Sequence, residues 1–262
     1  MLIVSDIDGT LLPYGATELD AGLFPLIARL RRQGVLFCPA SGRQFHSLRQ
    51  LFAPVAEELG FLCENGAIIY GPGAEEDAPV LSKITMPRED ALALAEDMLR
   101  QVDRRIIISG ANILYTVTGC GEDFLDMVRG RGNRVTTLDD PRRVPEDILK
   151  VSVYCPEGTA EPQAILGPRW GDALHMAAAG PDWVDFTLAD KGQGLRNLCA
   201  ALNVPLADTV AFGDNWNDAA MLSAAGTGYL MAGADPALLE RFPHHCTSVT
   251  DTLRTIVEEL EG

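Results

Sequence analysis

The sequence predicts an α/β fold: a parallel sheet wrapped by helices, with a smaller α+β segment inserted into it. Two observations carry this reading. Short apolar runs alternate with segments of helical period at both ends of the 262-residue chain, the rhythm of strands joined by helices. Between them, several strand-like runs follow one another closely, with Pro- and Gly-rich joints at "GPGAEEDAP" and "DDPRRVP", which reads as a second domain. The predicted boundaries are 1–82 and 187–262 for the main domain and 83–186 for the inserted one.

The elements follow in order. "LIV" at residues 2–4 opens a first strand that ends at two aspartates, Asp6 and Asp8. Leu19, Leu23, Leu26, Ile27 and Leu30 share one face of a helix that starts close to Pro25 and closes at Gly34. "VLFCPA" is the second strand. After it, "SGRQFHSLRQLF" repeats Phe45, Leu48 and Phe52 at helical spacing, predicting a helix that opens at Ser41. "FLCENG" and "AIIYG" are two more strands turning at Asn65–Gly66.

The inserted segment holds a helix, "REDALALAEDMLRQV", and the strands "RIIIS", "NILYTV", "KVSVYC", "DALHMAA" and "DWVDF". The first rhythm then returns with the helix "KGQGLRNLCAALNV", the strand "TVAFG", a helix from "NWNDAAMLSAAG", the strand "GYLM" and a C-terminal helix. "PHHC" at His244 to Cys246 looks metal-like, but three adjacent residues cannot converge on one ion unaided, and it is read as a loop.

Composition narrows the function. The chain has 21 basic and 37 acidic residues, net −16, so its field repels phosphate backbones and anionic lipid and no nucleic-acid partner is expected. No apolar stretch reaches membrane-spanning length and no basic leader precedes Asp6; cytoplasmic localisation and no membrane partner are expected. Cys38, Cys63, Cys120, Cys155, Cys199 and Cys246 lack zinc-finger spacing and are expected as buried, reduced thiols. Oligomeric state is not legible.

In an open parallel sheet, ligands bind beyond the carboxyl ends of the strands. Asp6 and Asp8 fall at that edge after the first strand, Ser41 after the second and Asp214 after "TVAFG". Carboxylates gathered this way repel one another unless a cation joins them, and an oxygen-only set with few protein ligands suits Mg²⁺. Ser41, at a helix N-terminus, and Lys191, at the start of another helix, are donors for an anion. Metal, ammonium, hydroxyl and carboxylate together suit phosphoryl transfer, in which a carboxylate can itself be the nucleophile.

These residues resemble the haloacid dehalogenase superfamily of phosphohydrolases, Cof-type, subclass IIB. Its DxDGT motif stands here as Asp6-Ile7-Asp8-Gly9-Thr10, its second-strand motif as Ser41-Gly42-Arg43, its lysine motif as Lys191-Gly192 and its GDxxND motif as Gly213 to Asp218. "ENGA" and the size and place of the inserted segment are also similar. The resemblance implies a Rossmann-like core with an α+β cap. It implies Asp6 as nucleophile and Asp8 as general acid and base, with Thr10 supporting the loop by hydrogen bonds. Mg²⁺ would be held by Asp6, the backbone carbonyl of Asp8 and Asp214, with Asp218 and Asn217 as direct or water-mediated partners. Ser41, with Gly42 beside it, and Lys191 would bind the phosphoryl group, and Asp218 would also pair with Lys191.

Arg43 and Asn65 read either as contacts to phosphate or leaving group, or as a surface salt bridge and a turn. Trp216 reads as lining the rim, covering the helix start or packing in the core, with core packing expected; His46, His175 and Trp183 read either as facing substrate or as structural, with the structural role expected. The function implied is a Mg²⁺-dependent phosphatase of small phosphorylated metabolites, sugar phosphates first. A phosphomutase or phosphotransferase is the alternative, although Arg104, Arg105, Arg131, Arg142 and Arg143 lie mostly beside acids or in loops rather than forming a second phosphate grip. A non-catalytic phosphate-binding module would be expected to lack an aspartate or the lysine, and none is missing.

Overall fold

A computed structural model describes residues 1–262. The chain divides into two compact units, one formed by Met1–Arg43, Leu48–Ser82 and Asp190–Gly262, the other by Gln44–Ser47 and Lys83–Ala189.

In the first unit the early elements are β1 (Leu2–Asp6), α1 (Leu23–Arg32), β2 (Leu36–Ala40), α2 (Phe45–Leu51, whose first residues cluster with the other unit), β3 (Phe61–Cys63), β4 (Ile68–Tyr70) and β5 (Val80–Lys83). The second unit supplies α3 (Arg88–Gln101), β6 (Ile106–Ser109), β7 (Leu114–Val117), α4 (Glu122–Gly130), β8 (Val135–Leu138), β9 (Lys150–Tyr154), α5 (Ala160–Trp170), β10 (His175–Ala178) and β11 (Trp183–Thr187). The first unit resumes with α6 (Lys191–Leu202), β12 (Thr209–Gly213), α7 (Ala219–Ala224), β13 (Thr227–Met231), α8 (Pro236–Leu239), β14 (His244–Cys246) and α9 (Val249–Glu261).

The first unit is built on an eight-stranded sheet in the order β14-β13-β12-β1-β2-β3-β4-β5. From β14 to β3 every neighbouring pair is parallel, and β4 returns antiparallel to β3. β1 is central, and all five of its residues are buried, which is why it reads as a continuous apolar run rather than an alternating one. Leu2, Val4, Cys38, Ala40, Leu62, Leu195, Leu198, Ala211 and Leu230 form the core between sheet and helices. α1 buries Leu23, Leu26, Ile27 and Leu30, and Gly34, with φ +73°, closes it in the left-handed region. The helix begins at Leu23, so Leu19 precedes it.

The second unit has a six-stranded sheet, β10-β11-β9-β6-β7-β8, antiparallel except for the β7–β8 pair. Its two faces are read directly from strand alternation. Ile106 and Ile108 pack with Leu94 and Met98 of α3 and Leu166 and Trp170 of α5. Ile107, between them, packs with Phe124, Leu125 and Val128 of α4.

Several expectations need correction. β8, α4 and α5 are additional to the elements expected; α5 carries Gly167 and an internal Pro168, which blur its helical signal. "PHHC" is not a loop: His244–Cys246 is an edge strand, β14, paired in parallel with β13, its exposed histidines preceding buried Cys246. All six cysteines are free and buried. No helix is long and apolar enough to cross a membrane.

Candidate active site

Strand order explains how the polar motifs meet. The chain leaves β1 toward β2 and β3 on one side, while β12 and β13 are added on the other. β1 is therefore a topological switch point, where loops at the carboxyl end diverge and leave a crevice. Asp6 pairs in register with Ala40 of β2, and its neighbour Ser5 with Phe212 of β12, so Asp6, Ser41 and Asp214 leave adjacent strands at one rim.

Below that rim lies a buried ionic triad. Lys191, 1% exposed, donates to Asp6 Oδ1 at 2.5 Å and to Asp218 Oδ1 at 2.7 Å. Lys191 reaches this position as the first residue of α6, whose N-cap Asp190 accepts from the Gln193 N–H at 2.8 Å. Asp218 Oδ2 accepts the backbone N–H groups of Asp214 and Asn215 at 3.1 and 3.2 Å. Asp218 thus holds the ammonium with one oxygen and the loop presenting Asp214 with the other.

Ligand oxygens of Asp6, Asp214 and Asp218 lie within 4.8 Å of one another. Three carboxylates against one ammonium leave two negative charges uncompensated. The electrostatic consequence is plain: burial, reinforced by the Asp218 charge and only partly offset by Lys191, pushes the Asp6 carboxyl up to about 7. Burial and Asp218 also raise Asp214. Asp6 Oδ2 is buried with no hydrogen-bond partner, a costly state for a carboxylate oxygen in a folded protein.

The loop after β1 is tightly closed. Thr10 and Leu12 N–H groups both donate to the Ile7 carbonyl, and the Gly9 N–H donates to Leu12. Gly9 has φ +93°, and a Cβ there would overlap the Asp214 carboxylate and come within 2.8 Å of Tyr14 Cε2, so no other residue fits. Thr10 Oγ1 donates to Asp214 Oδ1 at 3.3 Å and Tyr14 OH to Asp214 Oδ2 at 3.0 Å. The loop-supporting role of Thr10 is therefore directed at a specific carboxylate. Tyr14 is a site residue that sequence reasoning misses, because nothing in its spacing from Asp6 marks it.

Asp8 is not part of the carboxylate cluster. Its exposed side chain receives a two-pronged contact from Arg43, Nε to Oδ2 at 3.0 Å and Nη2 to Oδ1 at 2.5 Å. The expected helix start at Ser41 is also corrected: α2 begins at Phe45. The Ser41 N–H donates to Leu62, its carbonyl accepts from Asn65 and the Arg43 carbonyl accepts from Glu64. These backbone groups are committed to β3 and the turn after it and cannot join a helical ladder. Ser41 Oγ, at the rim, accepts the Arg43 N–H at 3.3 Å.

Asn65 sits in the left-handed region, φ +57°, as a turn residue does. Gly66 beside it, φ +95°, abuts the Asp190 carbonyl, which a Cβ would approach to 2.6 Å. The "SGR" loop, the "ENG" turn and the start of α6 therefore interlock. Asn217 is half-buried in the short turn Trp216–Asp218. Trp216 is a correction: it is 51% exposed, because this turn directs Asp218 inward and leaves the indole outside. Trp183 packs in a cluster of rings with Phe124 and Tyr154, while His175 is exposed.

A parallel sheet carrying an acidic cluster, a buried lysine and a serine at its switch point is the architecture of a hydrolase for which phosphoryl chemistry is the natural fit. Residues 3–257 match the haloacid dehalogenase-like hydrolase family, and the chain belongs to it. It is 27% identical to the 5-amino-6-(5-phospho-D-ribitylamino)uracil phosphatase YbjI of Escherichia coli, over 91% of this chain and 87% of that protein. It is 28% identical to an HMP-PP phosphatase of Cronobacter sakazakii, over 92% and 89%. A crystal structure from Eubacterium rectale superposes with a TM-score of 0.83 at 28% identity, covering 97% of this chain and 98% of the other.

Proposed function

We propose that the protein is a Mg²⁺-dependent phosphatase of small phosphorylated metabolites, sugar phosphates foremost, that works through an aspartyl-phosphate on Asp6. The observation that carries this is the buried Asp6–Lys191–Asp218 triad beside Asp214, with its two unmatched negative charges and the unpartnered Asp6 Oδ2. A hard divalent cation fits that all-oxygen donor set. Asp6 and Asp214 would hold Mg²⁺ together with the Asp8 carbonyl. Asp218, with both oxygens engaged, would act from the outer shell beside Asn217. Bound there, Mg²⁺ would neutralise and orient the phosphoryl oxygens.

The chain's own residues supply the rest. Lys191 and Ser41, with Gly42 allowing close approach, hold the phosphoryl group, and Arg43 and Asn65 stand beside it at the rim. An Asp6 carboxylate oxygen attacks phosphorus as the bond to the leaving oxygen breaks, and Asp8 delivers a proton to that oxygen. Asp8 then takes a proton from water, whose oxygen attacks phosphorus and breaks the Asp6–phosphate bond, releasing inorganic phosphate and restoring both carboxyl groups.

The E. coli relative's substrate carries a phospho-D-ribityl group, in keeping with a sugar-like leaving alcohol. Hydrolysis is favoured over transfer to a second alcohol because four of the five arginines considered above are already engaged, Arg105 with Asp103, Arg142 with Asp140, Arg143 with Asp139 and Arg104 with the Thr118 carbonyl, while Arg131 stands exposed in a turn. The test is phosphate release from p-nitrophenyl phosphate and from a panel of sugar phosphates. Turnover should require Mg²⁺ and vanish with EDTA and in Asp6→Asn; turnover surviving either change overturns the mechanism.

A further inference from the structure

We propose that Tyr14 is a positioning residue for the metal: its hydroxyl fixes the Asp214 carboxylate in the orientation that receives Mg²⁺. The inference rests on the assignment of Asp6 and Asp214 as metal ligands made above.

The geometry is specific. Asp214 receives no cationic side chain within hydrogen-bond reach; its two oxygens are engaged by two neutral hydroxyls, Thr10 on Oδ1 and Tyr14 on Oδ2. Both donors come from one loop, so a single segment of chain grips the carboxylate across its two oxygens. Each oxygen can accept a further bond, which leaves capacity for a cation on the side of Asp6 and Asp218, whose oxygens lie within 4.8 Å.

A tyrosine 68% exposed would ordinarily be free to leave such a bond. Here the backbone restrains it. Tyr14 follows Pro13, whose ring fixes one dihedral, and the Ala16 N–H closes a turn onto the Pro13 carbonyl at 2.9 Å. Leu11 and Leu12, just before it, are buried and anchor the loop. Gly9 leaves the gap through which the ring and the Asp214 carboxylate approach each other, since a Cβ there would meet both. The absent side chain at position 9 and the phenol at position 14 are thus two halves of one arrangement. Neutral donors are well matched to this role, because they orient a ligand without cancelling the negative charge that attracts the cation. Partners of this outer kind are commonly worth 10- to 100-fold in metal affinity.

The test is calorimetric titration of metal-free enzyme with Mg²⁺ in the absence of substrate, on wild type, Tyr14→Phe and Asp214→Asn. Tyr14→Phe keeps the ring and removes only the donor; because the residue is exposed, its melting temperature should match that of wild type. The expected result is Mg²⁺ binding about 10- to 100-fold weaker in Tyr14→Phe and abolished in Asp214→Asn. In turnover, the Mg²⁺ concentration for half-activation should rise in parallel while kcat at saturating Mg²⁺ stays within about twofold. Tyr14→Phe binding within twofold of wild type, with Asp214→Asn inactive in binding, overturns the role of Tyr14 and leaves the metal site standing. Undiminished binding by Asp214→Asn overturns the metal-site assignment, and this inference with it.

Discussion

Two buried carboxylate networks, one in each unit, show what separates a structural cluster from a chemical one. In the second unit Asp97 is nearly inaccessible, yet its charge is fully answered: Arg100 donates to Oδ1, the Trp170 indole donates to Oδ2 at 3.0 Å, and Arg169 forms an ion pair with Oδ2 at 2.6 Å. Both arginines reach in from solvent. In the first unit Lys191 is shared between Asp6 and Asp218 with Asp214 close by, and Asp6 keeps an oxygen with no partner. Burial alone therefore does not mark a site. An excess of buried charge, left uncompensated by the protein, does.

The largest effect should come from breaking the uncompensated network at its reactive member. Asp6→Asn is expected to lower kcat by roughly 10⁴-fold or more, since it removes the proposed nucleophile rather than an auxiliary contact. Single-turnover measurement of phosphate release would detect any residual chemistry. Lys191→Met should come next: it leaves two buried carboxylates facing each other and is expected to cost about 3–5 kcal/mol of stability as well as activity, read by denaturant unfolding at pH 7.

The pH dependence sharpens the comparison. Asp6 ionises near 3.8 when unfolded and near 7 in the folded, metal-free protein, so the folded state binds this proton more tightly. Its contribution to stability is favourable at low pH and is lost as pH rises from about 4 to about 7. At the proposed metal site, Mg²⁺ would compete with that proton. Added Mg²⁺ should therefore raise the melting temperature more at pH 8 than at pH 5.5, and bind more weakly at the lower pH; equal stabilisation at both would contradict it.

Breaking the balanced network should look different. Asp97→Ala strands the Trp170 N–H and is expected to cost about 1–3 kcal/mol, with kcat within about twofold of wild type. A comparable loss of kcat and stability would erase the distinction drawn between the two clusters. The smallest effect is expected at Trp216→Ala, where an exposed ring is removed from the turn beside Asp214; stability should change by no more than about 0.5 kcal/mol, measured by thermal melting.

Much of the first unit was legible because its signals are local. Continuous apolar strands and Gly34 after α1 each act over a few residues, so the pattern survives without knowledge of partners. Lys191 at a helix start and its pairing with Asp218 are also as expected. What failed did so where a distant segment decided the outcome. Ser41 does not open a helix because β3 and the "ENG" turn claim its backbone groups. Trp216 is outside because Asp218 needs the inside of the same turn. β14 forms because β13 offers an edge that three residues can join, something no window around "PHHC" reveals.

The sequence by itself determined which residue types reach the rim and in what chain order: an aspartate at the end of β1 and another just beyond it, a serine after β2, a lysine at the start of α6 and an aspartate after β12. These follow from hydrophobic period and strand–helix alternation, which are properties of neighbours in the chain. Only the tertiary structure decided how charge is shared among them. It turned Asp8 outward to Arg43, engaged both oxygens of Asp218, left one oxygen of Asp6 unanswered and brought Tyr14 onto Asp214 across 200 residues of chain. Electrostatic energy depends on distance and burial rather than on sequence separation, and those two quantities exist only once the sheet has assembled.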